Sequence, residues 1–236
     1  MPQLFTGTSG WAYPSWKPDF YPQKLAQKKF LSHYASKLNT VEVNFTFRQL
    51  VKETTIQNWL QETPAAFRFG IKAHQVITHI KRLKATEDFL PRFLATIEPL
   101  AAAGKLGPVL FQLPPNLKAD HSLLNDFLAI LPRTVPSAFE FRHDSWFSDA
   151  TWDLLKSANV ALCVAETETL TTPDVSTAPF AYYRFRKPTY TGEERQSMIG
   201  RIRGHVAAGR NVFAYFKHEE TPEGALYALE LLREVG

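Results

Sequence analysis

The chain has 236 residues and a formal net charge of +4, with 44% hydrophobic and 21% charged residues, a composition that excludes a disordered or collagen-like chain and suits a sizeable buried core. A lone Cys163 excludes an internal disulfide and a cysteine-clustered zinc site. No run approaches the roughly 18 apolar residues of a membrane span, and the first residues lack a leader pattern, so a cytoplasmic, non-membrane protein is expected.

In chain order, short β-rich runs bounded by polar or turn residues fall at Leu4–Ser9, Thr40–Asn44, Phe67–Lys72, Val109–Leu113, Phe139–Arg142, Val160–Ala165, Phe180–Phe185 and Val212–Phe216. Between most of them apolar residues recur at helical spacing, as in Phe30, Leu31, Tyr34, Ala35 and Leu38, or Leu90, Phe93, Leu94, Ile97 and Leu100. The stretch after the sixth run, Thr167–Thr177, contains threonine-rich turns and Pro173 instead of an amphipathic pattern, so the sixth helix is expected to be weak or replaced by a loop. Strand then helix, repeated about eight times in under 250 residues, predicts one α/β domain over 1–236, a TIM-like (β/α)8 barrel of parallel strands.

Alternation along each strand separates a face toward the helices from a face toward the barrel axis. It places Thr40, Glu42 and Asn44 inward, with Arg68, Gly70 and Lys72 on the third strand, Gln112 on the fourth, Glu140 and Arg142 on the fifth, and Arg184 and Lys217 closing the seventh and eighth. Polar groups crowd the C-terminal strand ends, where barrel enzymes build their sites. Lys72, Arg142, Arg184 and Lys217 outnumber Glu42 and Glu140, so the mouth is read as cationic and suited to an anion, with the guanidinium groups able to grip phosphate or carboxylate through paired hydrogen bonds.

Glu42, Glu140 and His143 are the candidates for moving a proton, and Asn44, His79 and Gln112 join the binding set. A carboxylate pair also fits glycosidase-like chemistry if the separation allows it. Trp11, Tyr13 and Trp16 in the first connection, with Trp146 after strand five, either stack on a sugar or base or plug the barrel end. No cofactor motif or metal-ligand spacing occurs, although His74, His79 and His143 with a carboxylate leave a divalent metal open. An alternative makes Glu42, Glu140, Arg142 and Lys72 an internal ion-pair network.

The sequence resembles a known family, domain of unknown function 72, or YecE-like proteins. The likeness is carried by Gly7-Thr8-Ser9-Gly10-Trp11 with Tyr13 and Trp16, by Phe20-Tyr21-Pro22, and by Thr40-Val41-Glu42-Val43-Asn44 with Thr46-Phe47. It continues through Phe69, Lys72, Thr78-His79, Lys105-Leu106-Gly107-Pro108-Val109-Leu110, Gln112-Leu113-Pro114-Pro115 and Glu140-Phe141-Arg142-His143 with Ser145-Trp146. The resemblance implies a β/α barrel but no reaction. It also implies departures: relatives tend to carry Arg-x-His-Gly and Tyr-Phe-Asn-Asn where this chain has Arg184-Phe185-Arg186-Lys187 and Tyr215-Phe216-Lys217-His218.

Three functions are therefore expected to compete. The first is acid/base action on an anionic, phosphate-bearing small molecule. The second is nucleic-acid binding, with or without cleavage, and the third is a non-catalytic scaffold or sensor.

Overall fold

The β-rich runs form eight strands in a computed structural model that describes residues 2–166, 170–217 and 220–236. They are β1 (Leu4–Thr8), β2 (Thr40–Val43), β3 (Arg68–Lys72), β4 (Leu106–Gln112), β5 (Ser137–Glu140), β6 (Ala161–Glu166), β7 (Phe180–Phe185) and β8 (Asn211–Phe216). The strands pair in parallel in the order β1-β8-β7-β6-β5-β4-β3-β2. The ends meet through a bridge between Ser9 and Glu42 and a 2.9 Å bond from the Gly10 N–H to the Glu42 carbonyl, which gives the nearly closed barrel expected from the strand–helix repeat.

Side chains complete the β1–β2 seam where the backbone ladder stops. The Tyr34 hydroxyl accepts from the Thr8 N–H at 2.8 Å and donates to the Thr40 carbonyl at 2.9 Å. Asn39 accepts from the Thr6 N–H at 2.9 Å and donates to the Leu4 carbonyl at 2.7 Å. Gly7 permits this close approach, because a Cβ there would lie 1.9 Å from the Thr40 carbonyl oxygen.

Seven α-helices occur among the described residues: α1 (Phe30–Ala35), α2 (Glu53–Glu62), α3 (Phe89–Ala102), α4 (His121–Ile130), α5 (Asp149–Ala158), α6 (Gly192–Ala207) and α7 (Glu223–Val235). Three of them, α4, α5 and α6, start on a side-chain cap. Asp120 accepts from the Leu123 N–H at 3.0 Å, and Thr191 with Glu194 forms a reciprocal capping box. In α3 the periodic residues Leu90, Phe93, Ile97 and Leu100 are the buried ones. No helix joins β6 to β7 among the described residues, as expected; Thr167, where that expected loop begins, and His218 lie outside them.

Inside the barrel, residue size is complementary across the lumen. Ala138, Ala161, Cys163 and Ala165 on β5 and β6 pack with Phe5, Tyr182, Phe213 and Tyr215 from β1, β7 and β8 in one buried cluster. Tyr215 reaches across to Thr40, with 3.0 Å between the two hydroxyl oxygens. Gly70 leaves it room, since a Cβ there would lie 2.6 Å from the Tyr215 hydroxyl. These rings form a solid floor beneath the polar C-terminal layer, so the interior is a packed core and not a pore.

Two strand boundaries correct the parity argument. β2 ends at Val43 and β5 at Glu140, one residue short of Asn44 and two short of Arg142. Asn44 already has helical backbone angles as the chain enters the turn at Phe45–Phe47. After Glu140 the chain folds Phe141 against Trp146, with ring centroids 4.7 Å apart, and Arg142 comes out exposed.

Candidate functional site

The last inward residues of β2, β5 and β7 meet at the C-terminal end of the barrel. Arg184 spans the two carboxylates, one guanidinium nitrogen 2.6 Å from Glu42 Oε1 and the other 2.5 Å from Glu140 Oε2. All three side chains are almost completely buried. Burial alone would depress the Arg184 guanidinium, but Glu42 and then Glu140 outweigh it and hold the group above its usual value.

Every carboxylate oxygen in this array is engaged. Glu42 also accepts from Ser9 at 2.8 Å and from Tyr182 at 2.6 Å. Glu140 accepts from Gln112 at 2.8 Å and from Arg186 at 3.3 Å. Buried charges persist where each lone pair has a donor, and here the donors come from three strands or their ends: Ser9 after β1, Gln112 in β4, and Tyr182, Arg184 and Arg186 in or just after β7. Glu42 and Glu140 thus behave as fixed countercharges. These are the two carboxylates expected to move a proton, and in this arrangement each of their oxygens accepts a hydrogen bond.

Lys72, the last residue of β3, is the contrasting member. Its ammonium lies 4.3 Å from the centroid of the Phe47 ring and makes no ion pair or hydrogen bond among the described residues. Burial, and then the positive charge of Arg184, push it down to about 8, with Glu42 and Glu140 opposing and Arg142 adding to the depression. His79, edge-on to the same Phe47 ring at 4.8 Å, is lowered by burial and by the charges of Lys72 and Arg142. Its Nδ1 is 2.9 Å from the Thr78 hydroxyl.

Arg142 has no carboxylate partner among the described residues and joins Glu140, Phe141, Pro115, Ala165 and Thr172 around a cavity of about 100 Å³. That is room for roughly three waters by volume, or for one small oxyanion. Lys72, Arg142, Arg184 and Arg186 face Glu42 and Glu140, so this cluster carries a cationic excess of about two charges near neutral pH. His143 sits just outside, its Nδ1 accepting from the Ser145 N–H at 3.2 Å and 3.0 Å from Asp144.

The remaining expected ligand contacts divide. Trp16 and Trp146 are fully buried, Trp16 against Phe20 and Tyr21 and Trp146 donating its indole N–H to the Leu117 carbonyl at 2.8 Å. Neither exposes a ring face to a ligand in this structure, because each is packed within the connection that carries it. Trp11, Tyr13 and Asn44 line a separate, mostly apolar cleft of about 340 Å³ with Phe45 and Trp59, which shares no lining residue with the cavity beside Arg142. Lys217 is exposed and borders a third hollow with Arg186 and Glu220. Among the described residues no three His, Cys, Asp or Glu side chains form a metal-holding group, and no helix is long and apolar enough to cross a membrane.

Sequence reasoning missed Ser9, Phe47 and Tyr182. Parity alone pointed to two of them: Tyr182 precedes Arg184 by two residues, and Ser9 continues the inward series of Phe5 and Gly7.

A family model described as "Protein of unknown function DUF72" matches residues 5–236. The chain belongs to the DUF72 family. Among DUF72 relatives it is 30% identical over 151 residues to UPF0759 protein YunF of Bacillus subtilis, covering 61% of this chain and 52% of YunF. It is 30% identical over 146 residues to UPF0759 protein YecE of Escherichia coli, covering 61% and 50% respectively. The matched region therefore spans about half the length of these curated relatives. A solved DUF72 family protein from Thermotoga maritima has 24% identity and a TM-score of 0.84, with 98% of each chain covered. Another from Enterococcus faecalis has 18% identity and a TM-score of 0.80, covering 99% of this chain and 97% of that one. These structures share the barrel fold of this chain.

Proposed function

We propose that this DUF72 protein binds a small phosphate-bearing anion at the barrel mouth, with Lys72 and Arg142 as the gripping cations above a rigid Glu42–Arg184–Glu140 array. The observation that carries this reading is the division of the charges. Arg184 and Arg186 are committed to carboxylates, whereas Lys72 at the end of β3 and Arg142 just past β5 have no carboxylate partner among the described residues. An ammonium held at a mouth of like charge is disfavoured until an anion arrives, so binding would remove a repulsion already built into the fold.

The Glu42 and Glu140 carboxylates then serve to hold Arg184 in place. Any proton transfer to a bound ligand falls to His79 or His143, which keep partly exposed rings. Thermal unfolding with inorganic phosphate, pyrophosphate and a panel of phosphorylated metabolites tests the reading. Stabilisation by a phosphate compound, lost in Arg142→Ala and in Lys72→Met, is the expected result. A melting temperature unmoved by every phosphate compound refutes it.

Nucleic-acid binding is the second reading, favoured by the exposure of Arg142 and Lys217 at the rim. It loses much of its stacking surface with Trp16 and Trp146 buried. Binding to single-stranded oligonucleotide that falls steeply with salt would favour it over the small-anion reading.

A further inference from the structure

The barrel contains two lysines with depressed ammonium groups, and they are solved differently. Lys105 extends along the end of α2, where its Nζ donates to the Leu60 carbonyl at 2.9 Å and to the Thr63 carbonyl and hydroxyl at 2.7 and 3.0 Å. That lysine is a helix cap, and its three donors are used. Lys72 has no such set, although two carboxylates lie in the same layer, because Arg184, Arg186, Ser9, Tyr182 and Gln112 have taken their oxygens. A lysine needed only for stability would be expected in the first arrangement.

We propose that Lys72 is a carbonyl-reactive lysine, whose Nζ condenses with an aldehyde or ketone of the phosphate-bearing ligand to form an imine. The inference rests on the anion-binding reading for the orientation of that ligand. Position supports it first: Lys72 ends β3 facing the lumen, and its backbone is fixed by pairing with Leu110 and by a 2.7 Å bond from the Thr46 hydroxyl to its carbonyl. The side chain runs beside the Phe47 ring, with Nζ 4.3 Å from its centroid, and it is burial, followed by the charge of Arg184, that favours the uncharged amine. The groups facing it are Glu42 from β2, Glu140 from β5, Arg184 from β7 and Arg142 from the loop after β5, with His79 from the loop after β3.

The balance of those groups favours the free amine. With the ammonium at about 8, roughly a tenth of the population is free amine at neutral pH, against a few parts in ten thousand for an ordinary lysine. The free lone pair adds to the carbonyl carbon, and the displaced π pair on oxygen takes up a proton. The resulting carbinolamine gives up its hydroxyl as water, taking a second proton from solvent, while the nitrogen releases its two protons. Amine and carbonyl become imine and water with no change of oxidation state. Arg142, beside the small cavity, would hold the phosphate while the carbonyl reaches Nζ.

Pyridoxal 5′-phosphate, an aldehyde that carries a phosphate, serves as the probe. The full chain is incubated with it, reduced with borohydride and mapped by peptide mass spectrometry, alongside calorimetric titration with inorganic phosphate. Lys72 should be labelled roughly tenfold or more faster than Lys24 and Lys28, with a rate that rises through pH 8 and falls when inorganic phosphate competes. Lys72→Arg should lose that label. Phosphate binding without preferential label at Lys72 overturns the imine and leaves the anion site standing. If neither phosphate binding nor the label is found, both readings fall. Label at Lys72 that phosphate does not slow sustains the reactive amine and removes the proposed anion grip. Because the decisive labelling is on the wild-type chain, a variant that fails to fold does not blunt the test.

Discussion

Arg184 occupies a position where a single side chain carries the electrostatic balance of the whole mouth. Its two nitrogens hold carboxylates from β2 and β5, both almost completely buried, and its removal would leave two buried anions sharing only the weaker help of Arg186, Ser9, Tyr182 and Gln112. Breaking a buried pair from one side costs about 3–5 kcal/mol, since the abandoned charge stays desolvated. Arg184→Met should therefore lower unfolding stability by that amount in denaturant titration. A triple replacement, Glu42→Gln and Glu140→Gln added to Arg184→Met, should recover a good part of the loss. If the single variant loses under about 1 kcal/mol, the array is not the rigid base described here.

At the scale of elements, much of the barrel was legible because parallel strands repeat a simple signal. β7 shows how far it reached: its parity delivered Arg184 to the lumen and, had it been followed two residues back, Tyr182. The same rule misplaced Asn44 and Arg142, since parity holds only while the backbone stays extended and both strands stop before those residues. Trp16 and Trp146 misled for another reason. A sequence gives an aromatic's abundance in a loop but not whether the loop folds inward on its own ring. The seam is the least legible feature, because Tyr34 and Asn39 act as parts of β1 and β2 while belonging to the helix and turn between them. Tyr34→Phe removes one hydroxyl that serves both the Thr8 N–H and the Thr40 carbonyl, which should cost about 1–3 kcal/mol. Hydrogen exchange should locate the damage, with the Thr8 amide exchanging faster while amides of the β7–β8 ladder keep their relative order. Equal acceleration of both ladders would mean that the hydroxyl is not a local clasp.

For the whole molecule, the depressed ammonium of Lys72 makes global stability depend on pH in a direction that can be worked out. The unfolded lysine binds its proton up to about 10.5 and the folded one only up to about 8, so between those values the unfolded chain holds more protons and stability rises with pH. Below about 8 the folded barrel bears the cost of a charged, partly buried Lys72 in full. Discounted for partial exposure, that cost is on the order of 1–2 kcal/mol. Buried tyrosines act oppositely above their ordinary value of 10, because Tyr34 and Tyr183 are raised, chiefly by burial, and the unfolded chain then loses protons first. Comparing wild type with Lys72→Met cancels these and most other contributions. The variant should be the more stable protein near pH 7, and its advantage should shrink as the pH climbs through 8 toward 10. Saturating phosphate should reverse the order at pH 7 by stabilising the wild type alone, since an anion that meets the ammonium raises the lysine's proton affinity. An advantage of Lys72→Met that stays constant from pH 7 to 10 would show that its origin is better packing beside Phe47, and that the wild-type ammonium carries no charge penalty for a ligand to relieve.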